Sequence, residues 1–109
     1  MEELKTRSEY SKAMMPDGVA ILEGTTTWCP QCKAIAPTVD KLMKKYPDAR
    51  FYQYNVETAE DIAHELGARQ VPTFTVFKDG MVQDGVTGAK AQELERLIKE
   101  NYEGRVVEE

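Results

Sequence analysis

Histidine occurs once in these 109 residues and cysteine twice, and no apolar run approaches the roughly 18–20 residues of a membrane span. Each shortage excludes something. A closed zinc site is tetrahedral, and Cys29, Cys32 and His64 fall short of one. A basic excess is also missing: 14 Lys and Arg face 19 Asp and Glu, a net charge of −5. An acidic surface is drawn neither to nucleic acid nor to anionic membrane. The opening Met1-Glu2-Glu3-Leu4-Lys5-Thr6 lacks a basic stretch followed by an apolar one, so no signal peptide is read and a cytoplasmic protein is expected. Repeats, low-complexity tracts and linkers are absent too. The expectation is one domain spanning residues 1–109, with 105–109 a flexible tail. In that setting a cysteine pair points to redox chemistry or metal binding rather than to a structural staple.

Alternating element signals fill the rest. Thr6-Arg7-Ser8-Glu9 has the form of a capping box opening a helix over Arg7–Met15, with Leu4 before it in a very short edge strand. Val19-Ala20-Ile21-Leu22 is apolar on both faces and reads as a central strand closed by Glu23. Ile35, Val39, Leu42, Met43 and Tyr46 mark one face of a helix from Pro30 to Lys45, with Pro37 expected to kink it. Arg50–Val56 reads as a strand, and a short helix to Leu66 follows Thr58-Ala59-Glu60-Asp61. Thr73–Phe77 and Met81–Thr87 flank the turn Lys78-Asp79-Gly80, with Gly85 a candidate bulge. A last helix runs from Ala89 to Tyr102. Strands separated by helices are expected to lie parallel and the final hairpin antiparallel, giving an α/β mixed sheet of about five strands flanked by four helices.

Trp28-Cys29-Pro30-Gln31-Cys32-Lys33 falls where the central strand gives way to the second helix. A helix N-terminus offers free N–H groups and the positive end of the dipole, both of which favour a thiolate. Cys29 is expected to be the exposed attacking sulfur. Cys32, one turn deeper, would resolve the mixed disulfide. The alternatives on the residues alone are a zinc half-site or two inert buried thiols.

Trp28-Cys29-x-x-Cys32-Lys33, Ala36-Pro37, Val71-Pro72-Thr73, Phe77-Lys78-Asp79-Gly80 and Gly88-Ala89 together resemble the thioredoxin family, in order and over nearly the whole chain. The resemblance implies a thioredoxin fold, reduction of protein disulfides, and a cis bond before Pro72. It also implies a buried carboxylate beneath the second cysteine, here Glu23, which would accept the proton of the resolving thiol. Trp28, Pro30, Gln31, Val71 and Pro72 would contact the substrate, with the Val71 backbone pairing in β fashion. Three departures stand out. Pro30-Gln31 replaces Gly-Pro, similar to glutaredoxins and periplasmic disulfide oxidases, and suggests a more oxidising pair. Gln53 stands where the family has a lysine beside the carboxylate, and Gly24-Thr25 where it has Phe-Trp, so aromatic packing beneath the site is expected to be thin.

The expected function is thiol–disulfide oxidoreduction on disulfide-containing proteins, without a cofactor or metal. The protein would act as a monomer and be recharged by a thioredoxin reductase or by glutathione, with no part for nucleic acid or membrane. Two other readings compete. One is a glutathione-linked, glutaredoxin-like enzyme, although no Gly-Gly-x-Asp site follows Pro72. The other is a non-enzymatic binding module of the same fold, or a carrier whose cysteines ligate an iron–sulfur cluster.

Overall fold

The computed structural model describes residues 1–108. Its elements are β1 (Glu2–Glu3), α1 (Arg7–Met14), β2 (Val19–Thr25), α2 (Pro30–Lys45), β3 (Arg50–Asn55), α3 (Glu60–Leu66), β4 (Thr73–Lys78), β5 (Met81–Thr87) and α4 (Ala91–Asn101). They form one five-stranded sheet in the order β1-β3-β2-β4-β5.

Alternation along β2 sorts the core into two halves, because successive side chains of a strand point to opposite faces. Val19 and Ile21 join Ile35, Val39 and Leu42 of α2 and Leu94, Leu97 and Ile98 of α4. Ala20 and Leu22 join Tyr10 and Met14 of α1, Ile62 of α3 and Phe77. Truncating a fully buried member such as Ile21 to alanine costs about 2–5 kcal/mol. Central strand and flanking helices are thus held from both faces.

β3 runs parallel to β1 and β2, as expected, but β4 runs antiparallel to β2. The expectation that every helix-separated pair lies parallel therefore fails at β4. A parallel return would have to carry the chain back along the length of the sheet. The seven-residue α3 spans only about 10 Å. The chain instead re-enters beside the C-terminal end of β2, where Thr73 faces Gly24.

β2 also continues past Glu23, where it was expected to close, through Gly24 and Thr25, because β3 pairs with both and β4 with Gly24. The bulge in the hairpin is not at Gly85. Thr75 faces Gly85 and Val76 faces Asp84 in register, and the shift comes before Phe77–Val82. Gly85 has another reason: a Cβ there would lie 3.1 Å from Phe74 O. The turn itself is built from Asp79 and Gly80, both at positive φ, and Asp79 Oδ1 accepts the Gly18 N–H at 2.8 Å.

The capping box closes as read: Thr6 Oγ1 accepts Glu9 N–H at 3.1 Å, and Glu9 Oε1 accepts Thr6 N–H at 3.1 Å. The segment from Arg105, expected to be a flexible tail, carries contacts. Val107 N–H donates to Lys45 O at 2.9 Å, and the Arg105 guanidinium and N–H converge on the Asp48 carboxylate. Glu109 lies outside the described residues.

Candidate active site

Cys29 is the N-cap of α2, in extended conformation (φ −77°, ψ 109°), and Pro30 occupies the first turn, where its missing N–H costs nothing. The Cys29 Sγ accepts the Cys32 N–H at 3.1 Å. This is the bond a thiolate at the cap would strengthen, since charge-assisted hydrogen bonds are about twice as strong as neutral ones. The two sulfurs form a disulfide, with Cα atoms 5.3 Å apart. Pro37 lies within α2, which runs on through it to Lys45.

Exposure does not distinguish the cysteines as expected. Cys29 is 2% exposed and Cys32 7%. They differ in the opening each one borders. Cys29 lines a groove of about 710 Å³ with Trp28, Pro30, Gln31, Val71, Glu57, Arg69 and Gln70. Cys32 lines a separate cavity of about 190 Å³ with Glu23, Lys33, Asp40 and Gln53.

Glu23 is buried at 5% exposure, so its placement at the end of a buried strand is no solvent-facing accident. Loss of hydration pushes its pKa up from 4.5 to about 7. No salt bridge among the described residues involves it. Gln53 faces it across the β2–β3 register, and its amide donates to Met1 O at 3.4 Å instead.

Val71-Pro72 is cis. Val71 borders the groove, whereas Pro72 is fully buried and its side chain is not part of the groove wall. Pro72 O accepts the Gly88 N–H at 2.8 Å, which holds this turn against the end of β5.

Trp28 is 61% exposed on the groove rim and donates its indole N–H to Glu57 Oε1 at 3.1 Å. Sequence reading missed Glu57. The available signal was its position, just past the end of β3 and so beside the loop that follows β2. It took Tyr54 for sheet packing and missed that its ring reaches beneath the site beside Gly24. Aromatic packing beneath the site is not thin: a Cβ on Gly24 would lie 2.8 Å from Tyr54 Oη and 2.8 Å from Thr73 Cγ2. The space left by the missing side chain at 24 is filled from β3 by a fully buried phenol. Phe51 and Tyr54 are core residues, and His64 and Lys33 are exposed.

A cysteine pair capping a helix, beside a cis-proline turn and above a buried carboxylate, on a β1-β3-β2-β4-β5 sheet, defines a dithiol–disulfide oxidoreductase of the thioredoxin fold. Comparison with known proteins narrows the class. The Thioredoxin family model matches residues 2–100. A thioredoxin of Alternaria alternata is 38% identical over 102 residues, 93% of this chain and 86% of that protein. Thioredoxin-1 of Saccharomyces cerevisiae is 33% identical over 99 residues, covering 91% of this chain and 96% of the relative. The crystal structure of mitochondrial thioredoxin 3 from Saccharomyces cerevisiae, in its oxidised form, superposes with a TM-score of 0.89 at 32% identity, over 92% of this chain and 94% of that one. The chain belongs to the thioredoxin family, and it is a thiol–disulfide oxidoreductase of the protein-disulfide reductase type.

Proposed function

We propose that Cys29 is the attacking nucleophile, Cys32 the resolving thiol and Glu23 the acceptor of the Cys32 proton. The observation that carries this reading is the separation of openings. Cys29 borders a groove large enough for an extended peptide. Cys32 and Glu23 share a smaller opening that Cys29 does not line. In the first step the Cys29 thiolate attacks a substrate disulfide and one substrate sulfur leaves as a thiolate. Cys32 then gives its proton to Glu23 and attacks the Cys29 sulfur, the second substrate sulfur leaves, and the active-site disulfide closes. A carboxyl with a pKa near 7 accepts and returns a proton at neutral pH with little penalty either way.

Trp28, Pro30, Gln31 and Val71 form the substrate surface, and buried Pro72 serves it by shaping the Val71 turn. An extended substrate would pair with the Val71 backbone. A thioredoxin reductase is the proposed electron donor, with glutathione the alternative, and the protein acts as a monomer. The cytoplasm is the proposed compartment, because a dithiol consumed as a reductant needs a reducing environment to be restored. Among the described residues no helix is long and apolar enough to cross a membrane.

A trap tests the roles. Cys32→Ser should accumulate mixed disulfides on Cys29, and Cys29→Ser should lose activity with insulin as substrate. Full activity in Cys29→Ser, with nothing trapped by Cys32→Ser, overturns the assignment. Recovery of the oxidised protein by NADPH plus a thioredoxin reductase, set against reduced glutathione alone, decides the donor.

A further inference from the structure

Thr26 stands between the two openings. It borders the smaller opening with Glu23 and Cys32, and it borders the groove with Cys29 and Trp28. The residue is 7% exposed, and its Oγ1 is buried without a hydrogen-bond partner. Neighbouring Thr25 satisfies its own hydroxyl on the Thr26 carbonyl, at 3.3 Å. A buried hydroxyl left unpaired is costly, so an orphan beside a reactive centre calls for a partner in another state of that centre.

The structure holds the disulfide state, in which neither sulfur is charged. Opening the bond creates a far better acceptor, a thiolate. Cys29 already has a donor in the Cys32 N–H at 3.1 Å, together with the rest of the α2 N-terminus. Cys32 sits inside the first turn of α2 and is not the cap. Among the residues that line the same opening as Cys32, Thr26 has a buried hydroxyl that no group yet occupies.

We propose that Thr26 is a further catalytic residue, whose hydroxyl donates to Cys32 Sγ as that sulfur loses its proton in the resolving step. The inference rests on the assignment of Cys32 as the resolving thiol. In that step the Cys32 proton passes to the Glu23 carboxylate. The Cys32 sulfur bonds to Cys29 Sγ, and the bond from Cys29 to the substrate breaks. Its electron pair leaves with the substrate thiolate, which water protonates. The substrate disulfide is thereby reduced and the two cysteines are oxidised. Thr26 keeps its own proton throughout. Once the disulfide closes the acceptor is gone, and the hydroxyl is left unpaired, as it is found. Thr26 therefore favours the open form over the closed one.

Thr26→Val keeps the side chain's shape and removes the hydroxyl, whereas Thr26→Ser keeps the hydroxyl. The reduced full-length chain is mixed in stopped flow with excess dithiobis(nitrobenzoate). The first release of nitrothiolate reports attack by Cys29, and the second reports resolution by Cys32. The expected result in Thr26→Val is a second phase slowed about tenfold, with the first phase unchanged within roughly twofold. Its pH midpoint should move upward, and Thr26→Ser should restore most of the rate. The pH series has to account for Glu23, Lys33, Asp40 and the Met1 amino group around the cavity, and for Glu57 and Arg69 around the groove. Thermal stability of the oxidised Thr26→Val protein should not fall, because no bond is lost in that state. An unchanged second phase overturns the proposal. So does Thr26→Ser as slow as Thr26→Val, which would mean that volume rather than the hydroxyl matters. Should the valine variant not fold, Thr26→Ala carries the same comparison. Glu23→Gln separates the two claims. If it slows the second phase and Thr26→Val does not, the role of Thr26 fails and that of Glu23 stands. The reverse pattern removes Glu23 as base and leaves Thr26.

Discussion

Replacing Glu23 by glutamine should stabilise the oxidised protein, and only above the acid range. In the folded chain the carboxyl titrates at about 7, whereas its ordinary value is 4.5. Below pH 4.5 the group is protonated whether the chain is folded or not, and burying it costs no charge. Between pH 4.5 and 7 the unfolded chain ionises it and the folded chain does not, so stability falls as pH rises. Above pH 7 both states are ionised and the cost is fully present. A displacement of this size corresponds to about 3 kcal/mol, an upper figure because the carboxyl borders a cavity that admits water. Glutamine has no charge to bury. Urea denaturation of the oxidised parent and of Glu23→Gln, measured from pH 4 to pH 9, should show curves that coincide or differ by a constant at the acid end. They should then separate by up to about 3 kcal/mol through neutral pH. For a domain whose whole stability is about 5–15 kcal/mol, that separation is large. A difference independent of pH would refute the reasoning, because it would mean that Glu23 is not an uncompensated buried acid.

Gly24→Ala should destabilise by about 1–3 kcal/mol, because its Cβ would meet Tyr54 Oη and Thr73 Cγ2 at 2.8 Å. Tyr54→Phe removes an unpartnered buried hydroxyl, so it should be neutral or stabilising alone and recover part of the Gly24→Ala loss in the double mutant; additive losses in urea would show that the two side chains do not compete. Glu57→Ala should free the indole of Trp28, the sole tryptophan, and lower its fluorescence anisotropy; unchanged anisotropy would mean that the Glu57 bond does not hold the ring. The pair should be more oxidising than an ordinary thioredoxin, since the Cys32 N–H and the helix end favour the Cys29 thiolate and the dipeptide between the cysteines is Pro30-Gln31. Titration against glutathione giving a potential at or below that of an ordinary thioredoxin would sink this expectation.

What could be read from sequence was governed by local physics. The capping box at Thr6 and Glu9, the Cys29 cap with Pro30 behind it, and the two-faced burial of β2 each depend on residues within a few positions of one another. All are found as expected. The direction of β4 was misread because it depends on how far a short helix can carry the chain, which is a matter of three-dimensional reach. Gly24 shows the same limit from the other side. As a sequence it is a lost aromatic; in the fold it is a vacancy taken by Tyr54 from the neighbouring strand. The relative burial of Cys29 and Cys32 was likewise out of reach, since the groove wall comes from Glu57, Arg69, Gln70 and Val71, far along the chain. Thr26 gave no signal at all, because one threonine in a run of three is ordinary until its hydroxyl is seen to be buried and alone.

The substitution of glutamine at position 53 has a chemical consequence that joins these observations. A lysine opposite Glu23 would place a positive charge next to the carboxylate and pull its pKa back down, toward or below the ordinary range. Such an acid would hold its charge more readily near neutral pH than Glu23 does. Gln53 is neutral and spends its amide on the Met1 carbonyl, so burial acts on Glu23 unopposed. Every other residue of β2 from Gly24 to Thr25, and Thr26 after it, is neutral as well. The carboxyl is therefore costly to keep and, in its proposed role, useful for the same reason: it is a buried acid in no salt bridge, titrating at about 7. A lysine at 53 should lower the pKa of Glu23 and relieve part of the cost of its charge at neutral pH, so the two effects move together at that position.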